Sequence, residues 1–203
     1  MWCSGVAGLL TRLAFQKSRR GVSRGWGKRK SVWSSYALSI IYSAAVYLPL
    51  WAAGFADFHA NALDRFAGDL HMAQSPRFLI VIAYFVSGSF GMFASGIGTA
   101  GEELGWRGFL VPELAKVTSF TRLSVISGAI WPAWHIPVLV GADYRGAGPV
   151  RYSIVCFVLL VLGASFLFAW MRLKSGRVWT GMLLHANHNL FVQLIFDQRN
   201  LRH

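Results

Sequence analysis

Long runs of apolar residues, separated by short polar or basic segments, dominate the chain. Five runs approach the roughly 20 apolar residues that a transmembrane helix needs, and they lie at about 32–54, 78–98, 123–142, 152–171 and 178–197. The intervening segment 102–121 carries charges and is predicted to be either a sixth embedded helix or a shorter helix dipping into the cytoplasmic side. The pattern therefore predicts an all-α fold, a polytopic transmembrane helical bundle with five to six membrane-embedded helices.

The composition agrees with this class. The chain has 203 residues, of which 55% are hydrophobic and only 14% are charged, and its mean hydropathy is +0.45. These values argue against a water-soluble globular domain.

The positive charge is concentrated near the N-terminus. Eight of the 20 Lys and Arg residues precede the first long apolar run, and the first acidic residue is Asp57. A basic stretch beside an apolar span is explained by the positive-inside rule and by anionic lipid better than by nucleic acid. We predict a basic cytoplasmic tail over 1–31, a helical membrane domain over 32–203, and no nucleic-acid partner.

A polar motif, Glu102-Glu103-Leu-Gly-Trp-Arg107, interrupts this apolar pattern. On a helix, Glu103 and Arg107 lie four residues apart on one face and can pair, while Glu102 points about 100° away and is free for another partner. The alternative is that both acids occupy the first turn of a helix, where the helix dipole favours negative charge.

Histidines occur inside two of the apolar runs. His135 lies between Pro132 and Pro137, and His185 and Asn189 share a helix face four residues apart, with His188 slightly off it. Ionisable residues within membrane spans indicate functional sites by default. The alternatives are a neutral His135 bonded to a nearby carbonyl, and interhelical packing by the residues at 185–189.

Other chemistries find less support in the sequence. No H-E-x-x-H zinc motif occurs, and the segment around Ser95 lacks the leading glycine of a G-x-S-G serine site. A metal held by His135, His185 and a glutamate stays open, because these ligand types suit zinc.

Three motifs in this order, Glu-Glu-x-x-x-Arg at 102–107, Trp-x-x-x-His at 131–135 and His-x-x-x-Asn at 185–189, resemble the CPBP family. This family contains the CAAX proteases and the bacteriocin-processing or immunity enzymes, also called Abi proteins, and includes the type II CAAX prenyl proteases. The resemblance covers about 85–197, and one departure is Trp131, where phenylalanine is common.

The resemblance implies an all-helical intramembrane endopeptidase of a prokaryotic branch of the family. With the apolar runs and the basic tail, we expect a multi-pass protein of the prokaryotic plasma membrane with a cytoplasmic N-terminus. Its catalytic residues would be Glu102, His135, His185 and Asn189, supported by Glu103 and Arg107. The first two would activate a water, the next two would stabilise the oxyanion, and the supporting pair would orient the site. No cofactor is expected, and a divalent metal is left open.

The implied substrates are membrane-associated proteins or peptides, either prenylated CAAX-type or carrying a leader peptide. Two further hypotheses compete with the protease. One is a non-catalytic immunity or partner-binding protein of the same fold, whose polar cluster is interhelical structure. The other is proton or ion transport through a polar cavity.

Overall fold

The computed structural model describes residues 2–16, 28–54, 62–141 and 149–190. These residues form helices and connecting turns, and no strand occurs among them. The α-helices are α1 (Trp2–Thr11), α2 (Arg29–Ala52), α3 (Ala62–Asp69), α4 (Arg77–Gly105), α5 (Val111–Leu114), α6 (Phe120–Gly141), α7 (Val150–Ser175) and α8 (Val178–His188). Two π-helical segments follow α1 and α4, π1 (Arg12–Gln16) and π2 (Trp106–Leu110). The predicted all-α class is confirmed.

Three of the described helices are long and apolar enough to cross a membrane: Arg29–Leu50 within α2, α6 and α7. They correspond to the first, third and fourth apolar runs, and the protein is an integral membrane protein. Helix α4 covers the second run. Helix α8 begins the fifth run, and residues 191–197 of that run lie outside the described part of the chain. The total of five to six embedded helices therefore stays a prediction.

The helices group into two compact units. The first unit comprises Met1–Ser35 and Gly98–Leu183, and the second comprises Tyr36–Ile97 and Leu184–His203.

Helices α6 and α7 of the first unit approach closely through small residues. A Cβ added at Gly128 would collide with Ser165 Oγ and lie 2.9 Å from Leu162 Cδ1. Ser165 Oγ donates a hydrogen bond of 2.7 Å to Ser124 O across the two helices. Small and hydroxyl side chains are the usual means of bringing two membrane helices together, because van der Waals contact and interhelical hydrogen bonds replace the hydrophobic effect in lipid.

Helix α1 packs in the same way against the end of α4. A Cβ added at Gly5 would lie 2.5 Å from Gly101 O, and one added at Gly105 would lie 2.5 Å from Ser4 O. Residues 2–16, predicted as part of a basic tail, are thus helical and packed within the first unit. Residues 17–27 lie outside the described residues, and the cytoplasmic position of the tail stays a prediction.

The second unit holds α3 beside α4. Phe66 of α3 and Tyr84 of α4 contact edge to face, with ring centroids 5.2 Å apart. Such a geometry places the positive ring edge over the negative ring face, which favours it over a stacked sandwich. An ion pair of 3.6 Å between Arg77 and Asp64 is exposed and contributes little to stability.

Candidate active site

The two glutamates of the first motif lie in the last turn of α4 and are buried, with exposures of 3% for Glu102 and 0% for Glu103. The alternative that they begin a helix is wrong, because α4 starts at Arg77. Burying a carboxylate is costly unless it is paired or hydrogen-bonded. Glu102 and Glu103 therefore depend on donors and cations supplied by other parts of the fold.

Arg107 supplies the cation for Glu103. Its Nη1 lies 2.8 Å from Glu103 Oε1, and both side chains are buried, which confirms the pairing predicted from the spacing. The second carboxylate oxygen of Glu103 faces Gly181 of α8, where an added Cβ would come within 2.7 Å of it. Glycine at position 181 thus lets the backbone of α8 approach the buried carboxylate.

Two aromatic rings enclose the guanidinium of Arg107. Its Cζ lies 4.0 Å from the ring centroid of Trp131 and 4.3 Å from that of Phe168. The two rings also contact each other, at 5.5 Å between centroids. Cation–π attraction of this kind strengthens when water is excluded, so the rings fix the position of the arginine that holds Glu103.

Glu102 points instead toward α6. Its Oε2 accepts a hydrogen bond of 3.3 Å from Trp131 Nε1 and lies 3.9 Å from His135 Nε2. The sequence expectation that Glu102 and Glu103 have different partners is confirmed. Trp131 is therefore a site residue in its own right, since its ring contacts Arg107 and its N–H reaches Glu102.

The orientation of His135 follows from a hydrogen bond of 3.0 Å between its Nδ1 and Trp131 O, four residues earlier. Because a carbonyl oxygen only accepts, Nδ1 carries the proton in this bond. In the neutral ring Nε2 is then the acceptor, and it faces the carboxylate of Glu102. The carbonyl contact proposed as the structural alternative is present, and it also orients the ring toward Glu102.

The third motif lies on α8 and just after it, in the second unit. His185 is buried, at 8% exposure, and Asn189 Nδ2 donates a hydrogen bond of 3.2 Å to Ser95 Oγ. His188 Nδ1 lies 2.7 Å from the hydroxyl of Tyr42. Glu102, Glu103, Arg107 and His135 lie together in the first unit. The predicted participation of His185 and Asn189 in the same site stays a prediction.

A metal centre finds no ready set of ligands in the described part of the chain, where no group of three or more His, Cys, Asp or Glu side chains is placed to hold an ion. Glu102 and His135 form a pair of potential ligands. The absence of a cofactor stays a prediction.

Sequence reasoning missed several residues that build the site. Phe168 and Gly181 lie in apolar runs and carry no signal of their own. Arg12 falls within the predicted basic tail and Arg172 directly follows an apolar run, yet both are buried. Its place directly at the end of an apolar run is the signal that could have found Arg172.

The fold and this site define a class: a helical integral membrane protein with a buried carboxylate facing a histidine. Residues 76–191 match the family model described as type II CAAX prenyl endopeptidase Rce1-like. The match covers more than half of the chain, and the chain belongs to this Rce1-like family. The resemblance predicted from the three motifs is thereby confirmed.

A relative is the CAAX prenyl protease 2 of Methanococcus maripaludis, 29% identical over 98 residues. The alignment covers 46% of this chain and 36% of the relative, so the chain spans about a third of the length of that protein. No solved structure matches the chain.

Proposed function

We propose that this protein is an intramembrane endopeptidase that hydrolyses a peptide bond of a membrane-associated substrate with an activated water. The observation that carries the proposal is the carboxylate of Glu102, buried, bonded to Trp131 Nε1 and 3.9 Å from His135 Nε2. A carboxylate base beside an imidazole acceptor is suited to removing a proton from water.

The proposed reaction needs no covalent intermediate with the enzyme. A water bonded to Glu102 and His135 Nε2 gives its proton to the glutamate while its oxygen attacks the scissile carbonyl carbon. The resulting tetrahedral intermediate collapses when the carbon–nitrogen bond breaks, and Glu102 returns the proton to the leaving amine. The products are a new carboxylic acid, which then ionises by releasing its proton to water, and a free amine.

The developing oxyanion needs hydrogen-bond donors. We assign this role to His185 and Asn189, because their side chains carry N–H donors. They are also the two named residues of the His-x-x-x-Asn motif that resembles the family. Donors aimed at an oxyanion in a water-poor site commonly supply a factor of about 10²–10³ in rate each. Glu103 and Arg107 would act as positioning residues, because their buried ion pair lies directly next to Glu102 in the chain.

The substrate class follows from family membership and from the name of the relative. A CAAX prenyl protease acts, by that name, on prenylated CAAX proteins, and we extend this substrate class to the present chain. Leader-peptide substrates are the second candidate within the same reaction. In either case the substrate reaches the site from the membrane.

The test is cleavage of a panel of prenylated and plain CAAX peptides and leader peptides by purified protein in lipid vesicles. Glu102→Gln keeps the size of the side chain and removes the base, so cleavage should be lost. Asp69→Asn removes an exposed carboxylate of α3 and serves as the matched control, with cleavage expected to persist.

Equal cleavage by wild type and Glu102→Gln would overturn the glutamate mechanism. Absence of cleavage of every peptide by folded wild type would instead favour the non-catalytic immunity or partner-binding protein. That protein would keep its biological effect in Glu102→Gln.

A further inference from the structure

The π-helical segment π2 runs into a proline. Val111 N–H donates to Trp106 O, five residues earlier, which is the π-helical register. In this register residue 112 would donate to Arg107 O, and in the α-helical register it would donate to Gly108 O. Pro112 has no N–H. Residue 112 therefore cannot donate to either of these two carbonyls.

Two arginines from distant parts of the chain donate to the same two oxygens. Arg172 Nε, at the end of α7, donates to Arg107 O at 2.6 Å. Arg12 Nη2, at the start of π1, donates to Gly108 O at 2.9 Å. Both carbonyls that the missing N–H could have reached, one in each register, thus accept from charged donors, which bond more strongly than neutral ones.

Both arginines are buried, Arg12 at 3% and Arg172 at 7% exposure. Burying a guanidinium is costly unless it is hydrogen-bonded or paired. Arg12 also lies 3.9 Å from Glu113 and over the ring of Phe109, at 5.8 Å, so its contacts concentrate on and beside π2. Arg12 and Arg172 are therefore not solvated surface charges, because both are buried and bonded to backbone carbonyls.

The carbonyl that Arg172 binds belongs to Arg107, whose side chain holds Glu103. Displacing π2 would move the guanidinium of Arg107 and, with it, the carboxylate next to Glu102. We propose that Arg12 and Arg172 are positioning residues that hold the proline-interrupted segment π2 and thereby set the geometry of the glutamate motif. The catalytic half of this inference rests on the proposed function.

The first test does not depend on catalysis. Hydrogen exchange of backbone amides at 103–113 is followed in lipid for wild type, Arg172→Gln and Lys174→Gln. Lys174 lies two residues away and contacts Trp170, 4.4 Å from its ring, so its substitution controls for loss of charge. We expect Arg172→Gln to accelerate exchange in π2 by tenfold or more, and Lys174→Gln to leave it unchanged.

The decisive variant is Pro112→Ala, which restores an N–H at position 112. Combined with Arg172→Gln, it should return exchange of π2 toward the wild-type rate, because the backbone can again supply a donor to Arg107 O. If Arg172 contributed only its charge or its packing, Pro112→Ala would not slow the exchange of π2 in the Arg172→Gln variant. Faster exchange without rescue, or no change of exchange, overturns the proposal.

Cleavage provides the second measurement. Arg172→Gln should lower kcat by about tenfold or more with little change in KM, since misplacement of catalytic groups slows the chemical step. The double variant with Pro112→Ala should recover most of the loss. If wild type cleaves nothing in the panel, the proposed function fails, and hydrogen exchange still decides whether the arginines hold π2.

Folding is checked for every variant by its elution in detergent and by its thermal unfolding. If Arg172→Gln does not fold, Arg12→Gln, with and without Pro112→Ala, tests the same relation at Gly108 O. In that case rescue of Arg12→Gln by Pro112→Ala supports the proposal. Failure of that rescue overturns it.

Discussion

Glu103 and Arg107 form an ion pair of 2.8 Å in which neither side chain exposes more than 3% of its surface. Glu103 directly follows Glu102 near the end of α4, and Arg107 lies in π2. Removing one partner would leave the other charge buried without compensation. The pair is therefore required for the local fold as well as for the geometry of the proposed site.

Arg107→Ala should lower the free energy of unfolding by about 3–5 kcal/mol, the usual cost of breaking a buried ion pair from one side. Denaturant unfolding of the purified protein in detergent measures this. The control is Lys116→Ala, which removes the exposed partner of Glu113 and should change stability by less than about 1 kcal/mol. Equal effects of the two substitutions would contradict the assignment.

Gly181→Ala should destabilise the protein and reduce cleavage, because the new Cβ would lie 2.7 Å from Glu103 Oε2. Gly163→Ala in α7 is a matched control, since nothing lies within 4 Å of its added Cβ. There the substitution should be neutral or stabilise by up to about 1 kcal/mol, as expected for alanine within a helix. Thermal unfolding and cleavage of the two variants are compared side by side.

Trp131 should tolerate phenylalanine better than alanine. Trp131→Phe loses the N–H bonded to Glu102 but keeps a ring against Arg107 and Phe168. Trp131→Ala also removes that ring and should cost about 3–5 kcal/mol of stability, as for other buried large-to-small changes. The free energies of unfolding of both variants test whether Trp131→Phe is the more stable. An alanine variant as stable as the phenylalanine variant would show that the ring is dispensable.

His135→Ala should reduce cleavage by about 10²–10⁴-fold, the usual contribution of a general acid–base group. The fold should persist, because the imidazole is partly exposed and its Nδ1 bonds to Trp131 O within its own helix. His71→Asn, at an exposed turn position with a positive φ of 57°, is the control and should cleave normally. A His135→Ala variant that cleaves like wild type would remove the histidine from the mechanism.

The sequence predicted the local relations of the site well. The four-residue spacing of Glu103 and Arg107 determines their shared helix face, and the order of the three motifs indicated the family. Helix periodicity fixes such neighbours, because they depend only on the geometry of one helix.

Relations between distant segments could not be predicted in this way. Arg12 and Arg172 donate to carbonyls of π2 that lie 96 and 65 residues away in the chain. A count of charges along the sequence places both with the solvated basic residues. Which backbone oxygens require an outside donor becomes visible only when the register around Pro112 is known.

The close approach of Gly181 to Glu103 also has an evolutionary consequence. A side chain at position 181 can be accommodated only if the carboxylate at position 103 withdraws, for example through the shorter aspartate. Substitutions at two such contacting positions are expected to be non-additive. Among homologous sequences, residues larger than glycine at position 181 should therefore occur together with a changed residue at position 103.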